Sequence, residues 1–319
     1  MIKIPVKYLK PLDYFFIFRP TLFFPIWIIT LSGLVAGRFF NGNPVWWSFQ
    51  VDWRNLLAFF WITLTTGATF ILNQLQDIES DKINKKLFLI SEQYVDASIA
   101  QKIAIISIIF SLIGLLIINY QVLVLICIGL VFGGYFYNYR PFQWKDKPIL
   151  GILVNYISGL SLFVSGWVMA NNFQWMALKY SIPYLLAWTS IAILTTIPDR
   201  TGDQNSAKVT ISVRLKNRTT VLISFGFLII SFGLSLYFQD PIISLPILLT
   251  IPLFLVTIYK PTIAWILRTI RYPILFLALM LCCEFPLFFI VILINFYLCK
   301  IYYVYRFNLN YPTFHIDEE

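Results

Sequence analysis

The chain holds a single histidine, His315, among 319 residues. One imidazole excludes His-ligated metal centres, haem relays and Ser-His nucleophilic chemistry. Cysteine is scarce too: Cys127, Cys282, Cys283 and Cys299 lie inside apolar runs with no C-x-x-C spacing. They read as small buried hydrophobes, not as a disulfide framework. Charged residues make up 12% of the chain, about half the share in an average soluble domain. No Walker loop or dinucleotide glycine fingerprint is present, which sets ATP and NAD chemistry aside. What the chain has instead is apolar side chain, 59% of its residues, more than one core can hide. Disorder, collagen and coiled coil are excluded by the same composition. The sequence reads as a polytopic integral membrane protein.

A spanning helix needs about 20 mostly apolar residues. Nine segments meet that need: 14–36, 55–75, 99–119, 121–139, 149–170, 180–198, 219–238, 241–259 and 273–303. The expected fold is therefore all-α, a membrane bundle of about nine transmembrane helices. It forms one domain over residues 1–319, with a short N-terminal segment 1–13 and a C-terminal tail 305–319. Lys3, Lys7 and Lys10 precede the first run without a small-residue cleavage site, so it reads as a retained span and not a signal peptide. The last segment is too long for one straight helix, and Pro286 after Glu284 allows a kink or a tight hairpin. Pro25, Pro183, Pro246 and Pro252 also fall inside spans, where neighbouring helices tolerate them.

Charge orients the bundle. With a cytoplasmic N-terminus, nineteen of the 24 Lys and Arg face the cytoplasm, and Arg38, Arg54, Lys179, Lys300 and Arg306 face the other side. That bias obeys the positive-inside rule and explains the net charge of +9 with no nucleic acid as partner.

Five of the fifteen acids form two clusters, each at the cytoplasmic end of a span: Asp77, Glu79 and Asp81, then Asp199 and Asp203. Positions four apart share a helix side, drifting by roughly 40° per step. Asn73, Asp77 and Asp81 thus form one polar stripe, and Glu79 points elsewhere. Both spans present their C-terminal ends here, adding a partial negative charge of about half an electron each. So negative a site calls for cations, and donors that are all oxygen favour Mg²⁺ bound through carboxylates and substrate phosphates. A solvated helix end would account for one such aspartate; two matched clusters point to function. The segment Tyr137-Asn-Tyr-Arg140-Pro-Phe-Gln-Trp-Lys145 closes the fourth span, and Lys208 follows Asp203. Metal, Lys and Arg beside a membrane cavity make a diphosphate clamp. Gly133-Gly134 reads as close helix packing. Tyr135 and Tyr137 are candidates to steady a carbocation through their π faces. Arg19, next to Pro20, either snorkels to headgroups or pairs with an anion in the groove.

Together these motifs resemble the UbiA superfamily of intramembrane prenyltransferases. Asn73, Asp77 and Asp81 match its Asn-x-x-x-Asp-x-x-x-Asp motif, and Asp199 and Asp203 match its Asp-x-x-x-Asp motif. Asp81-Lys-Ile-Asn84, the Tyr137, Pro141 and Lys145 pattern, Gly202-Asp203 with Lys208 and Thr210, and Arg19-Pro20 agree as well. Gln74 stands where many members have Asp, and Leu87-Phe88 where Arg-Pro is usual. The Asp-x-Glu-x-Asp form is nearer the chlorophyll-synthase, homogentisate and geranylgeranylglyceryl-phosphate branches than the benzoate branch.

The resemblance implies Mg-dependent transfer of a prenyl group from a polyprenyl diphosphate to an aromatic or hydroxyl-bearing lipophilic acceptor within the membrane. It implies Mg²⁺ ions held by Asn73, Asp77, Asp81, Asp199 and Asp203, with catalytic roles for these four aspartates and Lys145. Substrate binding would fall to Arg19, Asn73, Tyr137, Arg140, Lys145 and Lys208. The alternative is a cation-coupled transporter using the two acidic clusters. Transporters place acids near the bilayer midplane, where Glu284, a kink residue or a site acid, is the one candidate.

Overall fold

A backbone in lipid satisfies its own hydrogen bonds within a single segment only as an α-helix. The computed structural model describes residues 9–42, 46–50, 52–83, 88–205 and 208–313, and these are helical with no strand. Lys3, Lys7, Asn84, Leu87 and His315, named above, lie outside them. The long helices are α1 (Phe23–Phe40), α2 (Trp53–Gln76), α3 (Ala97–Ile118) and α4 (Tyr120–Gly129), which continues as a π-helical turn over Leu130–Phe136. Then follow α5 (Pro148–Ala170), α6 (Met176–Thr195), α7 (Asn217–Tyr237), α8 (Pro241–Tyr259), α9 (Ile263–Glu284) and α10 (Pro286–Phe307). Among the described residues nine helical segments are long and apolar enough to cross a membrane, and Tyr120–Phe136 is a shorter apolar one. The prolines inside α6 and α8, Pro183, Pro246 and Pro252, leave those helices continuous.

The expected last span is two helices. Phe285 ends α9 and Pro286 opens α10. Proline has no N–H to lose in the first turn of a helix, so here it starts a new helix instead of kinking an old one. The resulting hairpin returns the chain to the end where it began. There Arg306 grips Asp13 with both arms, Nη2 to Oδ2 at 3.0 Å and Nε to Oδ1 at 3.2 Å, and Tyr302 donates to Oδ1 at 2.7 Å. Arg306 and the tail after it thus lie beside the N-terminal segment, not at the opposite end as expected. Lys300 belongs to the same returning helix, less than two turns earlier.

The first apolar run is broken as well. A short helix, Asp13–Phe16, precedes Arg19, which is left-handed (φ 58°, ψ 63°), and α1 begins only after a single turn at Pro20–Leu22. Pro20 blocks the helical conformation of the residue before it. Gln74 secures the break: its buried amide donates to the Ile17 carbonyl at 2.8 Å and to that of Phe70 at 3.1 Å. An ionised aspartate has no proton to donate, which gives the departure at this position its structural reason.

The core is centred where α1 meets α5. A Cβ built on Gly33 would collide with the Phe163 carbonyl, and one on Gly166 with the carbonyl of Thr30. The two backbones touch, as small residues allow between membrane helices. Phe163, Trp167 and Tyr184 are buried around this contact. In contrast α3 exposes Ile109, Phe110, Ile113, Leu116 and Ile117, a surface suited to lipid tails.

Candidate active site

Helix α2 stops at Gln76. Asp77 follows with φ −105°, and Asp81 rides on a separate short helix, Ile78–Ile83. The expected stripe on one continuous helix is therefore interrupted, although the Asp81 N–H still donates to the Asp77 carbonyl at 2.8 Å. The second cluster is built alike. Helix α6 ends at Thr195, and Asp203 sits on the short helix Arg200–Asn205, its N–H donating to the Asp199 carbonyl at 2.9 Å.

The lysines come from the loops that follow α4 and Asp203. At the π-helical turn, a Cβ on Gly133 would meet the Ser158 hydroxyl at 2.5 Å, so this glycine serves helix packing. Just beyond, the fully buried Asn138 donates to the Gly134 carbonyl at 2.9 Å and accepts from Lys145 Nζ at 3.4 Å. Lys145 Nζ then reaches Asp77 Oδ2 at 2.7 Å and Asn73 Oδ1 at 3.2 Å. Lys208 Nζ meets the other Asp77 oxygen at 3.1 Å. One carboxylate is thereby bridged by two ammonium groups. The loops are stitched together by Val209 N–H to the Asp146 carbonyl at 3.1 Å and by Thr210 Oγ1 to Asp203 Oδ2 at 3.1 Å. Arg200 clamps the return by donating to the carbonyls of Ser212 and Leu215.

These residues surround a cavity of about 740 Å³ whose walls include Arg19, Asn73, Asp77, Asp81, Tyr137, Lys145, Asp199, Asp203 and Lys208. Among the expected site residues Arg140 alone is absent from the wall: it is exposed and its Nε donates to Gln143 at 3.3 Å. Glu79 is exposed outside the cavity. Tyr135, also outside, stacks on Tyr139 with ring centroids 5.8 Å apart. Glu284 is buried at the far end of α9, where its carbonyl accepts from Ser48 N–H at 2.9 Å. It belongs to the outer turn of the hairpin, not to this site.

Burial and the nearby Asp77 charge push the Asp81 carboxyl up to about 7. Among the described residues its buried Oδ2 has no hydrogen-bond partner. Burial raises the Asp203 carboxyl as well, and it lowers the Lys145 ammonium although Asp77 opposes it. Lys208 is desolvated too, but Asp77 and neighbouring carboxylates outweigh this and raise it. Asp146 also lines the cavity, raised by burial, and its buried Oδ1 has no hydrogen-bond partner among the described residues. Sequence reasoning missed it, although it directly follows Lys145. Asn138 was missed too; a lone Asn within an aromatic run was its only signal.

Among the described residues no three His, Cys, Asp or Glu side chains converge closely enough to hold a metal. The donors that do face the cavity are nonetheless all oxygen, and the buried Oδ2 of Asp81, beside Asp77, has no hydrogen-bond partner among the described residues. That chemistry fits a hard divalent cation such as Mg²⁺. A second cavity of about 260 Å³, walled by Ile28, Trp188, Ile191, Leu228, Ile247 and Leu277 among others, shares Asn155, Ala192 and Thr195 with the first. A charged chamber thus adjoins an apolar one inside a membrane bundle.

The model of the UbiA prenyltransferase family matches residues 27–273, and the chain belongs to this family. Among its relatives is 2-acyl-4-prenylphloroglucinol 6-prenyltransferase of Humulus lupulus, 26% identical over 67% of this chain but only 54% of that protein. Digeranylgeranylglyceryl phosphate synthase of Methanococcus aeolicus is 26% identical over 64% of this chain and 68% of its own length. Among solved structures, a UbiA homolog from Archaeoglobus fulgidus bound to GPP and Mg²⁺ shares the fold, with TM-score 0.65, 17% identity, and coverage of 86% of this chain and 99% of that one.

Proposed function

We propose that the protein transfers a prenyl group from a polyprenyl diphosphate to a lipophilic acceptor bearing an aromatic ring or a hydroxyl, with Mg²⁺, at the cytoplasmic face of a membrane. The observation that carries this reading is the junction of the two chambers. Lys145 and Lys208 converge on one carboxylate in the polar chamber, and an apolar chamber begins at Ala192 beside it. A diphosphate suits the first and an isoprenoid chain the second. When the donor's C–O bond breaks, negative charge gathers on the diphosphate, and fixed ammonium groups stabilise that charge most in a water-poor site. Asn138 holds Lys145 in place for this task. Asn73, Asp77, Asp81, Asp199 and Asp203 would hold Mg²⁺, which when bound neutralises the leaving diphosphate. The excess of Lys and Arg at this end of the bundle supports its cytoplasmic side. The named activities of the hop and archaeal relatives support the reaction class and leave the acceptor open between ring carbon and glycerol hydroxyl.

The test uses purified protein in nanodiscs with labelled geranylgeranyl diphosphate, an acylphloroglucinol and geranylgeranylglyceryl phosphate, with Mg²⁺ or with chelator. Mg²⁺-dependent release of diphosphate together with a labelled acceptor is the expected result. Donor left intact with every acceptor in Mg²⁺ would overturn the reading and favour the transporter.

A further inference from the structure

Helix α10 ends at Phe307 and is capped by Asn308, which adopts the left-handed conformation (φ 56°) that asparagine tolerates at helix ends. Its N–H donates to the Val304 carbonyl at 3.0 Å, Leu309 N–H reaches back to Tyr303 at 3.1 Å, and Tyr311 N–H donates to Leu309 at 2.9 Å. This capped reversal turns the chain toward the cavity, whose wall includes Tyr303, Leu309, Asn310 and Tyr311. The strap is tied down at three points. Tyr311 Oη is 3.3 Å from Thr21 Oγ1, its ring packs edge-on to Tyr303 with centroids 5.1 Å apart, and Arg271 Nη1 donates to the Thr313 carbonyl at 3.0 Å. Thr21 lies two residues past the break at Arg19, and Asn295 of α10 donates to the Pro20 carbonyl at 3.0 Å. The broken first span, the last helix and the strap are therefore one bonded unit next to Arg19. The strap carries no motif acid or lysine and falls outside the residues matched by the family model.

We propose that residues 308–313 wall the active-site cavity against water, with Tyr311 as the positioning residue that decides what captures the allylic group. The inference rests on the prenyl-transfer reading. Tyr311 is 43% exposed while also lining the cavity, as a residue at the boundary with solvent must be. In the reaction the C–O bond breaks and its electron pair leaves with the diphosphate. The electron-poor allylic carbon then bonds either to the acceptor's carbon or oxygen, which gives up its proton to solvent, or to water, giving a prenyl alcohol and a proton. Excluding water protects such reactive species.

The experiment follows the labelled prenyl carbon into alcohol and into prenylated acceptor, alongside total diphosphate released. In Tyr311→Ala the alcohol share is expected to rise about tenfold while diphosphate release changes little. Tyr311→Phe keeps the ring against Tyr303 and loses only the tie to Thr21, so its alcohol share should rise far less than that of Tyr311→Ala. Arg271→Gln frees the Thr313 tether and should raise the alcohol share to a lesser degree. An unchanged partition in both Tyr311→Ala and Arg271→Gln, or an equal fall of both products, would overturn the wall. A parent protein that releases no diphosphate would instead overturn the prenyl-transfer reading beneath it.

Discussion

Asp77→Asn changes little in shape but leaves two ammonium groups converging on a neutral amide. Lys145 and Lys208 approach its oxygens at 2.7 and 3.1 Å, and their side chains are 7% and 18% exposed. Removing one partner from a fully buried ion pair costs about 3–5 kcal/mol, and an exposed pair is worth about 0–1 kcal/mol. At this partial burial, with the Asn oxygen still accepting a hydrogen bond, the stability cost should be about 1–3 kcal/mol. Catalysis should lose more, since removing a preorganised electrostatic group costs roughly 10²–10³ in rate. Inorganic diphosphate separates the two effects. An anion placed between the lysines restores the missing charge, whereas in the parent protein Asp77 already occupies that place. In a thermal-shift assay without metal, diphosphate should therefore raise the melting temperature of Asp77→Asn more than that of the parent. At about 100 times its Kd the anion contributes about 2.7 kcal/mol. Turnover should stay lost throughout. Equal shifts for the two proteins, or near-normal turnover in the variant, would refute the reasoning.

Arg19 lines the cavity with its guanidinium 5.8 Å from the Phe70 ring centroid. A planar contact to an anion does not survive replacement by Lys, so Arg19→Lys should raise the KM for one substrate severalfold in steady-state kinetics; unchanged kinetics for both would return Arg19 to the headgroups. Gly166→Ala drives a methyl into the Thr30 carbonyl and should destabilise the protein by about 1–3 kcal/mol. Gly226→Ala has open space at this position, and its melting temperature in detergent is the control. Ala192→Phe fills the junction between the two chambers. It should lower kcat/KM for geranylgeranyl diphosphate far more than for dimethylallyl diphosphate, and an equal loss for both would move the prenyl chain elsewhere.

Composition alone made the membrane bundle legible, because nothing else satisfies so much apolar side chain. The carboxylates were legible because spacing by four survives a helix break: Asp77 and Asp81 keep their backbone bond although α2 stops just before Asp77. What spacing along the chain does not convey is approach between distant segments. Asn138, Asp146 and Tyr311 reach the cavity region through a π-helical turn, a loop and a reversed tail, none of which has a periodic signature. The hairpin at Phe285 was ambiguous for a different reason. Both of its arms are apolar, and a proline after an acid marks a kink and a helix start alike. Arg140 lies outside the cavity wall because a motif names the segment that turns, not which side chains the turn carries outward.

Of the described residues that line the cavity, Phe16 comes first in the chain and Tyr311 last. A protein made from its N-terminus forward therefore acquires this chamber in instalments. The acids and both lysines are all present once Lys208 has emerged, while Asp13 still waits for Arg306 and Thr21 for Tyr311. Biosynthesis thus separates having the reactive groups from having the enclosure. A chain stalled before α10 holds every motif residue and has no closed room to use them in.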